Sequence, residues 1–259
     1  MDAFDIQPFP RERDVVVDAG YLGAGRHIAY GLAEVDVTEA RARLHASALA
    51  RDADGPPLSF TAFIAACLGR AIQAHPQVQA YRDWRGRLIL FHDVDVVTMI
   101  EPRPGAVAIP HILRRANSRS VRDLSDEIRL IQYRPDQSQQ NGLLERWAPR
   151  IPRFGRLAFF WALKQNPRWF KQVEGTVVVT SIGMFASGGV WGVTFLPTHT
   201  LGLTIGGIAV KPGVHDGQIV AREYLDLTIA FDHDVVDGAP VARFSRTLSE
   251  LIESAALLA

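Results

Sequence analysis

Between Ser59 and Pro76 the chain reads FTAFIAACLGRAIQA, a helix-length run that is apolar on nearly every face. Such a helix has no side to offer water, so whatever this chain folds into must wrap it. Ser59 is a good N-cap, and Pro76 stops the run. Cys67 lies inside it and is expected to pack as a small apolar side chain. As the single cysteine, it allows neither an intramolecular disulfide nor a cysteine-based zinc cluster. That usage fits a reducing compartment.

The wrapping layers read as a mixture of strands and helices. Residues 27–37 (HIAYGLAEVDV) alternate apolar and polar, as a half-buried strand does. Thr38 then opens a helical stretch with Ala40, Leu44 and Ala48 on one face. Strand-like runs follow at Arg87–Phe91, Val94–Ile100 and AVAIPHIL. Ser120 caps a second amphipathic helix, VRDLSDEIRLIQY, ended by Pro135. Beyond a polar loop, TVVVTS, LGLTIGGIAV and IVAREYLDLTIAF are three further strands. A last helix starts near Pro240 and carries Val241, Phe244, Leu248 and Leu251. Helices and strands mix without a regular βαβ rhythm. The expected fold is therefore α/β, a two-layer sandwich with a mixed β-sheet rather than a doubly wound parallel one.

Composition narrows the function classes. Lys plus Arg and Asp plus Glu are both 28, so no global field draws the chain to nucleic acid. No apolar run reaches the ~18 residues of a membrane span, and MDAFDIQPFPRERD lacks a signal-peptide core, so the cytoplasm is the expected location. With no repeat or linker, residues 1–259 read as one catalytic domain, residues 1–25 forming an N-terminal arm. His27, His92, His111, His199 and His215 show no metal-ligand spacing, and no metal is expected. No phosphate loop, dinucleotide fingerprint or nucleophile elbow is present. Gly188-Gly189 reads either as a loop shaping a cleft or as a plain turn.

The chemistry gathers at His233-Asp234-Val235-Val236-Asp237-Gly238. His233 ends a buried strand and precedes a turn into a helix, so its backbone is fixed from both sides while the ring can reach a cleft. An imidazole so placed can take a proton from a thiol or hydroxyl. Asp237 can order the turn or cap the following helix, and Gly238 permits a tight or positive-φ geometry. Taken alone, so short a spacing favours a structural histidine with Asp237 as an ordinary cap.

LTIAFDHDVVDGAPVARFSRTLSELIES resembles the signature of the dihydrolipoyl acyltransferase catalytic domains of 2-oxoacid dehydrogenase complexes, Asp-His-Arg-x-x-Asp-Gly followed by a helix. GTVVVTSIGMF is similar to that family's Gly-Thr-Phe-x-x-Ser-Asn-Leu-Gly-Met-Phe stretch. AVAIPHILRRANSRSVRDLSDEI, LSFTAFIAACLGRAIQAHPQVQA and RHIAYGLAEVDVTEARARL resemble three more of its segments, in family order, covering most of residues 26–255. The resemblance implies the chloramphenicol acetyltransferase-like fold, with trimers that build each active site between neighbouring subunits. It makes His233 the base, Asp237 the residue that orders the site, and Thr180 the hydroxyl that stabilises the tetrahedral oxyanion. Ser181 is the rival if the register slips by one. FPRERD resembles, more weakly, the basic stretch of chloramphenicol-type enzymes, where an Arg pairs with the motif aspartate; Arg11 or Arg13 could play that part, and ordinary exposed arginines are the commoner alternative.

Three departures qualify the resemblance. Asp234 stands where the family has Arg, which changes the potential and ion pairing beside the base. Ser181 replaces the family Asn. The chain leaves no room for a lipoyl or subunit-binding domain, so lipoate would come in trans. Residues 143–173 add an extra helical segment broken by Pro149, Pro152 and Pro167. Its expected role is to pack an aromatic face on the core, ahead of a lid or a membrane or partner contact. The expected activity is acyl transfer between a coenzyme A thioester, or a lipoyl group on another chain, and a thiol or hydroxyl acceptor. The expected assembly is a homotrimer or a larger shell. The rivals are a non-catalytic assembly or regulatory homologue and an antibiotic-type O-acetyltransferase.

Overall fold

The computed structural model describes residues 4–10, 13–49, 56–103, 108–138, 150–183 and 188–258. Six strands form one mixed sheet: β1 (Ile28–Asp36), β4 (Val96–Ile100), β5 (Ile109–Leu113), β6 (Val177–Ser181), β7 (Leu201–His215) and β8 (Gln218–Asp232). Their order is β1-β8-β7-β6-β4-β5. β6 runs parallel to both β4 and β7, and the other pairings are antiparallel. β2 (Tyr81–Arg82) and β3 (Leu88–Ile89) make a separate small hairpin. The strand expected over Arg87–Phe91 is thus a two-residue piece: Asp83 gathers the Arg85 and Arg87 amides into a turn there, leaving little extended chain.

Helices cover one face of the sheet. The apolar run becomes α3 (Phe60–Ala74), buried along almost its whole length against α4 (Val121–Tyr133) and the last helix (Gly238–Glu253), and α2 (Thr38–Leu49) packs on that last helix. The Ser59 side chain accepts from the Ala62 amide at 3.4 Å, and Ser120 with Asp123 closes a reciprocal capping box. Cys67 is enclosed, and burial pushes its thiol above the ordinary range. Along α2, Ala40 and Leu44 are buried whereas Ala48 is exposed, because the helix end runs off the core. The last helix begins two residues before Pro240, and Ile252 rather than Leu251 is its last fully buried position.

Side chains alternate across the sheet. Leu201, Leu203, Leu225, Leu227 and Ile229 point into the helical core. The opposite set, including Thr204 and Thr228, faces the segment 188–199, where Thr194 and Thr204 join hydroxyls. Gly206 and Gly207 interrupt the β7–β8 register because backbone crosses directly over them: Gly207 donates to the Val190 carbonyl at 2.9 Å.

A second, smaller cluster flanks the main core. α1 (Asp14–Gly23) lies against α5 (Arg153–Gln165), which leads into α6 (Pro167–Glu174). Asp18 is buried and receives Arg156 at 2.6 Å and Arg153 at 3.1 Å, latching the two helices. Pro152 and Pro167 sit at the starts of α5 and α6, where a missing amide costs little. Phe160, Leu163 and Phe170 face inward, as expected of the extra segment, while Phe154 and Trp161 face out. Residues 143–149 of that segment lie outside the described residues. No described helix is long and apolar enough to cross a membrane.

α3 passes so near residues 116–117 that a Cβ on Gly69 would sit 2.7 Å from the Asn117 nitrogen. Alanine at 69 gains about 1 kcal/mol of helix propensity but forces backbone apart, an overpacking that costs about 1–3 kcal/mol. Gly69→Ala should therefore lower the urea midpoint; a raised midpoint would contradict this packing.

Candidate active site

β8 delivers His233, and the start of β1 holds it there. Arg26 and His27 grip three consecutive residues. The Arg26 guanidinium meets the Asp232 carboxylate through Nε at 2.8 Å and through a terminal nitrogen at 2.6 Å. The His233 amide donates to the His27 carbonyl at 2.8 Å. The His27 ring meets Asp234 at 2.8 Å. Asp232 also accepts from the Asp234 amide, and its carbonyl receives the Val235 and Val236 amides. The backbone of the turn is therefore fixed on both sides, as the sequence implied.

The side chains are less constrained. His233 is 50% exposed and its Nδ1 lies 4.0 Å from an Asp237 carboxylate oxygen. Asp237 occupies the N-cap position of α7 (Gly238–Glu253), yet its side chain caps nothing and points to solvent. Of the roles the sequence leaves open for Asp237, the capping bond is not made. Gly238 is an ordinary helical residue without positive φ, so the conformational freedom expected of it is not used. Asp234, the residue that departs from the family pattern, spends its charge on His27. That hydrogen bond holds the Asp234 carboxyl below the usual carboxylate range. The carboxylate that replaces the family Arg is held by the His27 ring.

Arg13 is exposed at the start of α1 with no ion pair among the described residues, and Arg11 lies outside them. The arginine that braces the motif is Arg26, and the aspartate it braces is Asp232. Sequence reading missed both. The only local signal is an arginine immediately before one strand and an aspartate at the end of another, and nothing in the sequence pairs them.

Thr180 stands near the end of β6, half-buried, its hydroxyl making no hydrogen bond among the described residues. Ser181 follows it, likewise half-buried. The registers Thr180↔Thr204 and Thr204↔Thr228 place Thr180 two strands from β8 and five residues short of His233. At about 3.3 Å per residue and about 4.8 Å per strand, the separation is roughly 19 Å. One chain does not bring His233 and Thr180 to the same substrate.

A cavity of about 210 Å³ opens behind the turn, bordered by Asp232, Asp234 and Val235. Its other walls come from the end of α1, from β2, and from α5 and α6. Nearby, His199 Nε2 donates to the Glu174 carbonyl at 2.8 Å, and burial holds its imidazole down at about 4. Burial likewise pushes the Glu174 carboxyl up to about 7.

Comparison with known proteins bears on this arrangement. Residues 166–259 match the family model for 2-oxoacid dehydrogenases acyltransferase (catalytic domain). That stretch contains Thr180, Ser181, His233 and Asp237. The lipoamide acyltransferase component of the branched-chain alpha-keto acid dehydrogenase complex of Pseudomonas putida is 27% identical over 235 residues, 90% of this chain and 48% of that protein. The chain therefore spans about half the length of this curated relative. A probable dihydrolipoamide acetyltransferase from Listeria monocytogenes superposes with a TM-score of 0.71 at 20% identity, covering 97% of this chain and 95% of that one. A chloramphenicol acetyltransferase superposes at 0.56 with 16% identity, covering 97% and 99%. The fold is chloramphenicol acetyltransferase-like, and the chain resembles the catalytic domains of dihydrolipoyl acyltransferases.

Replacing Arg26 with leucine leaves Asp232 a buried carboxylate without its counter-ion, a change that costs about 3–5 kcal/mol. Arg26→Leu should lower the melting temperature sharply. Asp234→Ala breaks an exposed pair and should leave it nearly unchanged. Equal losses in the two variants would contradict the division of labour drawn here.

Proposed function

We propose that the chain is an acyltransferase that moves an acyl group from a coenzyme A thioester, or from a lipoyl group on another chain, to a thiol or hydroxyl acceptor. The observation that carries this is the His233 turn: an accessible imidazole on a backbone braced by Arg26–Asp232 and by the His27 carbonyl. In this reading His233 takes the proton from the acceptor as its sulfur or oxygen attacks the acyl carbonyl carbon. The carbonyl oxygen becomes an oxyanion and accepts a hydrogen bond from Thr180, with Ser181 the alternative donor one residue on. Collapse breaks the thioester carbon–sulfur bond, and the departing thiolate recovers the proton from His233. Asp237, 4.0 Å from the ring, stabilises the imidazolium formed in between.

The separation of Thr180 from His233 within one chain supports a site shared between copies, in a homotrimer or a larger assembly. The β7–β8 hairpin supports the same reading. Its outer half runs past the ends of β1 and β6 and carries exposed Val210, Val214 and Ile219. A projecting ribbon with free edges and apolar side chains suits pairing with a neighbour. The acceptor and donor are small molecules or a lipoyl arm, and no metal takes part in the proposed step.

The test is release of free coenzyme A thiol from a panel of acyl-CoA thioesters with thiol and hydroxyl acceptors. His233→Ala should abolish turnover. Thr180→Val should lower kcat by about 10²–10³, the usual loss for one oxyanion donor. Undiminished turnover in folded His233→Ala protein would overturn the assignment, and a folded protein that turns over no thioester would favour a non-catalytic role.

A further inference from the structure

α5 is apolar on two sides. Phe160 and Leu163 face the small core beside α1, yet the opposite face carries Phe154, Ala158 and Trp161, which follow one another at helical spacing. Phe154 is 77% exposed and Trp161 59%. An exposed aromatic stripe of this kind marks a contact surface. α1 repeats the pattern, with Arg13, Val17 and Tyr21 four residues apart and all exposed. The two faces adjoin at Arg153, whose guanidinium lies 5.7 Å over the Tyr21 ring and which precedes Phe154 in the chain. Val17 and Ile151 line one shallow depression there with Arg150 and Arg153.

The charge around this surface has one sign. Residues 150–173 contain Arg150, Arg153, Arg156, Lys164, Arg168 and Lys171 and no aspartate or glutamate. The aspartates of α1 are already engaged: Asp18 is buried against Arg153 and Arg156, and Asp14 lies 3.8 Å from Arg156. Lys164 stands one turn past Trp161, and Arg13 begins the stripe on α1. Both are exposed and form no ion pair among the described residues. A face-to-face contact with a second copy would set these cations against their own images. An anionic bilayer answers both features, because its phosphates meet the cations while the aromatic rings settle at headgroup level.

We propose that the joined outer faces of α1 and α5 form a docking surface for an anionic phospholipid membrane. Phe154 and Trp161 enter the interface, and Arg13, Arg153 and Lys164 meet lipid phosphates. α5 lies in the plane of the membrane, since its 13 residues are too few to cross one. The inference does not rest on acyl transfer, because binding is read without coenzyme A.

Sedimentation of the full chain with lipid vesicles tests it. Vesicles of equal parts phosphatidylcholine and phosphatidylglycerol should bind at least about tenfold more tightly than phosphatidylcholine alone, and added salt should weaken that preference. Phe154→Ser with Trp161→Ser changes only exposed side chains, so the protein should keep its melting temperature and lose binding at least about tenfold. Arg13→Glu with Lys164→Glu should remove the preference for the anionic vesicles. Acyl chains brominated near the headgroup should quench the fluorescence of wild type more than that of Trp161→Phe. His233→Ala should bind vesicles like wild type, which separates this surface from the transfer reaction. Folded protein that stays in solution with anionic vesicles would overturn the proposal, as would binding unchanged by both double variants. So would an assembly, followed by light scattering, that comes apart in the double serine variant while vesicles bind neither form, since the face would then seat a second copy.

Discussion

Arg26 and Asp232 meet across 206 positions of sequence, nearly out of reach of water, and the site is arranged around their contact. The pair joins the end of the α1 connection to the last residue of β8, so it fixes where the sheet stops and the turn begins. One residue along, the His27 carbonyl takes the His233 amide, and the His27 ring takes Asp234. The same guanidinium and carboxylate form part of the cavity wall. A buried ion pair contributes little net stability over an apolar replacement, but removing one member is costly. Its value here is positional. It allows the His233 side chain to stay exposed while the backbone beneath it stays still.

The sheet imposes a second constraint. β6 and β8 run in opposite directions on either side of β7, so the residues at their carboxyl ends are driven apart. The hydroxyl of Thr180 and the imidazole of His233 therefore serve different substrates unless a neighbouring copy closes the distance. The projecting, apolar β7–β8 ribbon gives that neighbour a surface to meet. Topology, more than any side chain, makes assembly part of the proposed chemistry.

Much of the fold was legible because it depends on local pattern. The all-apolar run from Phe60 could only be a core helix, and Ser59 and Ser120 announced caps that the structure makes. The mixed sheet followed from strands and helices that alternate irregularly. Features that depend on distant partners were not legible. Arg26–Asp232 and His27–Asp234 join residues about two hundred positions apart, and no periodicity links them. Asp237 as a cap and Gly238 as a special turn are not realised, for the opposite reason. Each residue type permits a cap or a special turn, but Val235 and Val236 already close the turn through the Asp232 carbonyl.

The central claim is that each working site draws His233 from one copy and Thr180 from another. It is tested most directly by mixing two inactive chains, His233→Ala and Thr180→Val, through unfolding and joint refolding. If sites are shared head to tail around a closed ring, random mixing leaves about one quarter of them with both groups intact, and activity should return to about one quarter of wild type. Mixed assemblies, verified by differential tagging, that recover no more activity than the two parents would contradict the account.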